Sequence, residues 1–260
     1  MAGAAVALVV LAVLVVCALV FVRWGTRWGA TAEERAMKMS GDEWLRDRKA
    51  MRVVMTRAIS VAKPPDTVWP WLAQLGRGAG WYSIERLDNG GRTSARHLVS
   101  WIPAPRLGDA TAIGYLRHLD VGTACAWWVP EERFLGASTR MVFSVRLRPA
   151  GDGSRLVARV SADAVGLGAL AAVCVFPVID SIMARAQLLG IRDRAEGSGA
   201  ASSPPQDPET GARDQYQLYE VIYASGDTAG VKGKENASLW RAAALQAGLM
   251  DDRGGTQESA

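Results

Sequence analysis

The chain has 260 residues, 49% of them apolar, and a formal net charge of +4. That is enough apolar material for a real core in one or two domains. The positive charge is too small and too evenly spread for a nucleic-acid surface. Cys17, Cys125 and Cys174 are scattered, without C-x-x-C spacing, which argues against a disulfide framework or a thiolate zinc site. They read as buried, reduced thiols.

Residues 1–22 come first. From Ala2 to Val22 no side chain is charged, and about 21 residues at 1.5 Å each span roughly 31 Å, the thickness of a hydrocarbon core. The stretch predicts one transmembrane helix. The competing reading is a secretory signal with Ala30-Thr31-Ala32 as its cleavage site. No Lys or Arg precedes the apolar run, and that site lies too far beyond it. Arg23, Arg27, Arg35 and Lys38 all follow the helix. The positive-inside rule then predicts a single-pass protein of the cell membrane, N-terminus outside and C-terminal domain cytoplasmic, with Trp24 and Trp28 in the interfacial belt.

Residues 23–52 are polar and mixed in charge and read as a juxtamembrane tether with some helix, Thr31-Ala32-Glu33-Glu34 being close to a capping box. Residues 53–197 carry the pattern of a folded domain. A strand over Thr56–Val61 stops at Pro64-Pro65, since proline has no amide proton for a ladder. Asp66 or Thr67 can cap a helix bearing Val68, Trp69, Trp71, Leu72 and Leu75, with Gly76 to end it. Gly76, Gly78 and Gly80 then form G-x-G-x-G after a helix, not the G-x-G-x-x-G of a nucleotide loop between strand and helix. Trp81 and Tyr82 follow, then a short helical segment ending at Asn89.

Gly108-Asp109 reads as a turn into a strand over Ala110–Leu116. A second strand covers Ala124–Val129, and residues 130–133 read as the turn after it. Met141 to Ala162 holds two runs of strict alternation around Gly151-Asp152-Gly153. This is an antiparallel hairpin with one buried face and one wet, arginine-rich face. From Val165 the period becomes helical, with Val175, Ile179, Ile182, Ala186 and Leu189 on one stripe and a kink expected near Pro177. Residues 198–213 are a flexible linker by composition. Residues 214–260 form an extension with a strand over Gln217–Tyr223 and a helix over Lys234–Leu249, open to a protein partner.

No G-x-S-x-G, H-E-x-x-H or Walker sequence occurs, and the two histidines are far apart, so no metal site is expected. His97 is the candidate for general acid/base work or for hydrogen bonding a ligand. A surface or structurally bonded imidazole is the competing reading.

The order strand, Pro64-Pro65, Val68-Trp69-Pro70-Trp71-Leu72, Gly80-Trp81-Tyr82-Ser83 and Leu87-Asp88-Asn89 resembles the SRPBCC (START or Bet v 1-like) superfamily, in particular its bacterial polyketide cyclase/dehydrase-like members. Leu107-Gly108-Asp109 and the helix ending Gly190 to Glu196 fit the same pattern. The resemblance implies an α+β helix-grip fold: an antiparallel sheet wrapped around a long C-terminal helix. It also implies a cavity between them for a hydrophobic small molecule such as a lipid, quinone or polyketide-like compound. On that reading Trp69, Trp71, Trp81, Tyr82, Trp101, Trp127, Phe143 and Phe176 line the cavity, although the same aromatics would suit a filled core. No cofactor is implied. Two alternatives stay open, a cyclase/dehydrase-like enzyme using His97 and an interaction protein working through the C-terminal extension. A bilayer and an apolar guest are the expected partners, not nucleic acid.

Overall fold

The computed structural model describes residues 2–197 except 46, 48, 89–92, 100–101, 110 and 112–113. Trp101, the linker and the C-terminal extension lie outside the described residues. The order of elements is α1 (Ala2–Gly25), α2 (Ala32–Ala36), β1 (Met51–Val61), α3 (Pro65–Ala73), α4 (Glu85–Asp88), β2 (Tyr115–Asp120), β3 (Ala124–Phe134), β4 (Ala137–Ala150), β5 (Gly153–Val165) and α5 (Ala169–Ala195). Among the described residues the strands form one sheet in the order β1-β5-β4-β3-β2, every pair antiparallel. α5, 27 residues long, lies against it. This is the helix-grip α+β architecture that the resemblance implied.

Alternation along the central strand β5 divides the molecule in two. Leu156, Ala158 and Val160 join Met55, Ile59, Phe143, Val145 and the α5 residues Leu188 and Ile191 in the main core. The next residues over, Val157 and Arg159, face the other way, where Val157 packs on Met39 from the segment after α1. α3 closes the core with Val68, Trp69, Trp71 and Leu72. Its N-cap is Pro64, without a side-chain cap, and Pro65 occupies the first turn. The sequence had offered Asp66 or Thr67 for that role, but Pro65 fixes a helical φ one position earlier.

Three boundaries differ from expectation. β1 begins at Met51, five residues before Thr56, because all of Met51–Val61 finds partners on β5. β2 is Tyr115–Asp120, running past the expected end at Leu116, and residues 110, 112 and 113 of the expected strand lie outside the described residues. β3 runs through Pro130 to Phe134, and the turn falls at Leu135-Gly136, both at positive φ. Pro130 is tolerated because the ladder to β2 ends at Trp128, and the register with β4 slips between Val129 and Glu132.

The segment between α1 and β1 belongs to the folded body. Thr26 and Trp28 offer their carbonyls to the amides of Thr56 and Ala58, which covers the outer edge of β1. The capping box at Thr31 and Glu34 is complete. Glu34, Asp42 and the carbonyls of Met37, Glu34 and Arg35 then receive Arg148, Arg155 and Arg159. The arginine face expected to be wet is therefore covered at Arg155 and Arg159, while Arg146 and Arg148 stay exposed. Arg159 is 4% exposed.

Candidate functional site

The sequence named an aromatic wall, and the fold assembles most of it. Trp69, Trp71, Trp81, Tyr82, Trp127 and Phe143 all lie in the main core cluster, with Phe176 packed at its margin. Trp127 and Phe143 stack with centroids 5.1 Å apart and planes 17° apart, and Trp71 meets Tyr82 edge-on at 6.0 Å. Phe176 lies edge-on to Phe134 at 6.3 Å, at the far end of the sheet.

The corner after α3 is built from hydrogen bonds. The Gln74 amide donates to the Tyr82 hydroxyl (2.6 Å) and the His97 carbonyl (3.2 Å), and accepts from the Val99 amide (2.9 Å). Tyr82 has φ 58, a left-handed conformation unusual for a bulky residue. It is held there by Ser94, whose hydroxyl accepts from the Tyr82 amide, and by Arg194, whose guanidinium lies 4.4 Å from the ring centroid. Arg194 also donates to the Ala95 and Gly190 carbonyls and so ties the corner to α5. Arg77, buried, donates to the Ala73 and Pro103 carbonyls and pairs with Asp109 at 2.8 Å.

Between α3 and the β2–β3 edge a small gap remains, lined by Trp69, Leu72, Ala73, Arg77, Pro105, Leu116, Leu119, Cys125 and Trp127. Its volume is about 10 Å³, room for about one water. At this place the space is far smaller than the small-molecule cavity that the resemblance implied. Along this stretch the aromatic side chains fill the space between sheet and helices, because stacked rings such as Trp127 on Phe143 leave no room between them. One polar atom stands out: the Trp127 indole N–H is buried and has no acceptor among the described residues.

Burial raises the hydroxyl pKa of Tyr82 and the thiol pKa of Cys125 well above their ordinary values. Both stay protonated near neutrality and supply no base or thiolate. His97 is half-buried and engages the corner through its backbone carbonyl. Among the described residues no group of three His, Cys, Asp or Glu side chains could hold a metal ion. The arrangement places one buried donor without an acceptor among the described residues on the wall of a water-sized gap.

Sequence reasoning missed two features. One is the Trp127 donor, which no local pattern reveals. The other is Arg57 on β1, buried and paired with Asp180 of α5 at 2.6 Å, while its Nε donates to the Gly25 carbonyl at the end of α1. An arginine between the buried residues Met55 and Ile59 of β1 was the available signal. Val175, Ile179 and Ile182, on the apolar stripe expected to pack against the sheet, are exposed instead, and Asp180 meets Arg57.

No family model and no curated protein matches the chain. Among solved structures it is similar to the di-domain ARO/CYC StfQ from the steffimycin biosynthetic pathway, at 13% identity and TM-score 0.38 over 58% of this chain and 53% of that one. It is similar to protein CV1439 from Chromobacterium violaceum, at 15% identity and TM-score 0.35 over 58% of this chain and 99% of that one. A third likeness is Ara h 8.0201, at 14% identity and TM-score 0.34 over 58% and 100%. The fold assignment rests on the sheet order and the placement of α5.

Proposed function

We propose that this is a membrane-anchored domain that takes up a hydrophobic small molecule bearing a hydrogen-bond acceptor. The observation that carries the reading is the buried Trp127 N–H, which has no acceptor among the described residues, beside a gap walled by Trp69, Leu116 and Leu119. A buried donor without a partner costs about 1–3 kcal/mol. A carbonyl or hydroxyl on an apolar guest would recover that while its hydrocarbon leaves water at about 25 cal/mol per Å². The resting gap is too small for such a guest, so loading moves the wall. Leu119 on the edge strand β2 and Pro105 on the preceding loop are the lining parts with least sheet on their outer side.

The anchor is α1, a 24-residue helix without an acidic residue, whose Val6, Val9, Val13, Val16, Leu19 and Val20 are exposed around its circumference. Arg23 and Arg27 at its exit favour the cytoplasmic side for the domain. A cyclase-like activity would need a titratable group inside. Tyr82 and Cys125, held protonated, favour carriage over chemistry. The test is native mass spectrometry of the full-length protein released from detergent. A lipid-like mass should co-purify with the wild type, and its occupancy should fall about fivefold in Trp127→Phe, which keeps an aromatic ring but removes the indole N–H and so loses one hydrogen bond. Protein that is empty from every host, or equal occupancy in the variant, contradicts the reading.

A further inference from the structure

The first half of α5 presents an unusual outer surface. From Val165 to Ala184 the single acidic or basic side chain is Asp180, and it is turned inward to Arg57. The side that points away from the sheet carries Leu170, Cys174, Val175, Ile179 and Ile182, all exposed, over about 18 Å of helix. At the start of the helix the stripe continues onto Leu167, fully exposed, and onto Leu135, whose carbonyl abuts Gly168. Soluble domains seldom leave so long a charge-free apolar strip uncovered.

Two observations say what covers it. The stripe is continuous with α1. Gly25 packs directly on Ser181, and Trp28 lies under the Arg185 guanidinium at 5.1 Å, so the two helices approach each other where the stripe ends. The polar groups are also layered. Arg185 is the first outward charge on α5, and it stands level with Trp28, in the short arginine- and tryptophan-rich stretch (Arg23, Trp24, Arg27, Trp28) that spans the end of α1 and the turn after it. On both helices, then, apolar surface gives way to arginine and tryptophan at one junction, as at a membrane–water interface with anionic headgroups.

We propose that the outward stripe of α5 lies in the bilayer surface, its side chains among the acyl chains of the membrane that α1 enters. This rests on the reading of α1 as an anchor. Exposed Glu131, Glu132 and Arg133 lie on β3 just before Leu135, which limits how far that corner sinks. α5 therefore lies along the interface and does not cross it, in the manner of a monotopic helix. The anchor and the stripe together fix the orientation of the domain, with the wall formed by α5 against lipid.

Two native thiols make the test direct. Cys17 lies on α1 and Cys174 on the stripe, while Cys125 is buried and protected from labelling. Full-length Cys17→Ser and Cys174→Ser variants are spin-labelled in vesicles of phosphatidylcholine and phosphatidylglycerol. Label accessibility to oxygen is compared with accessibility to a water-soluble nickel chelate. The label on Cys174 should favour oxygen several-fold, whereas one on Asp152→Cys, added to a variant lacking both native sites, should favour the chelate. A water-exposed Cys174 overturns the proposal, and if the Cys17 label is then lipid-exposed the anchor reading survives alone. A Cys174 label shielded from both reagents means protein covers the stripe, in a second copy or otherwise, and also overturns it. A lipid-exposed Cys174 with a water-exposed Cys17 upholds the docking surface and removes the anchor.

Discussion

Glu34 grips Arg155 with both carboxylate oxygens, Oε1 2.8 Å from Nε and Oε2 2.8 Å from Nη2. Arg148 adds a third contact at 3.1 Å, and Oε2 also accepts from the Thr31 amide. The pair clips the segment that follows α1 onto the outer face of the sheet. Its energetics follow from geometry: bidentate, with Glu34 3% exposed.

The Arg155 guanidinium holds the Glu34 carboxyl at about 2, against an ordinary value of 4.5. Because the folded value is the lower one, the stabilisation is complete above about pH 4.5 and is lost as the pH falls toward 2. Discounted for solvent around Arg148, it amounts to about 2 kcal/mol. Glu34→Gln should lose that amount at pH 7 in thermal or chemical unfolding. Its stability should then vary less than the wild type's between pH 5 and pH 2.

Arg57 and Asp180 form a buried pair that also secures the Gly25 carbonyl. Arg57→Met strands the Asp180 carboxylate and should cost about 3–5 kcal/mol, a fall in melting temperature on the order of 10 °C. The double variant Arg57→Met with Asp180→Leu should regain a large part of the loss, because two apolar side chains replace two charges. Calorimetry of the three proteins checks the order.

Gly76 has φ 68, and a Cβ there would lie 2.4 Å from the Trp81 ring. Gly76→Ala should therefore combine backbone strain of about 1–2 kcal/mol with displacement of Trp81 from the core. Gly108 has φ 90 with open space around it, so Gly108→Ala should show the strain alone. Equal destabilisation of the two variants in urea would contradict the packing described for the corner.

The sequence reading succeeded where one strand or helix carries its own signal. Residues 141–162 alternate strictly, so the hairpin, its turn and its two faces were legible. What covers the arginine face was not. Its partners Glu34 and Asp42 lie more than 100 positions upstream of Arg148, Arg155 and Arg159, and local pattern holds no record of such pairings. Pro130 was read as a turn because proline ends most strands, yet here the neighbouring ladder had already stopped at Trp128. The expected aromatics Trp69, Trp71, Trp81, Tyr82, Trp127 and Phe143 meet in one core cluster, since large apolar residues in strands and short helices face the core. Whether they enclose a space or fill it depends on ring geometry such as the Trp127–Phe143 stack, which spacing does not encode. The unpaired indole N–H is likewise a property of the assembled interior.

The most direct measurement is the indole ¹⁵N–¹H resonance of Trp127 in the full-length, detergent-solubilised protein, assigned by its disappearance in Trp127→Phe. Compared between delipidated protein and protein reloaded with the hydrophobic extract of its host membrane, that signal should move downfield and exchange more slowly with solvent, as its donor gains an acceptor. A Trp127 resonance identical in the two preparations would contradict the account.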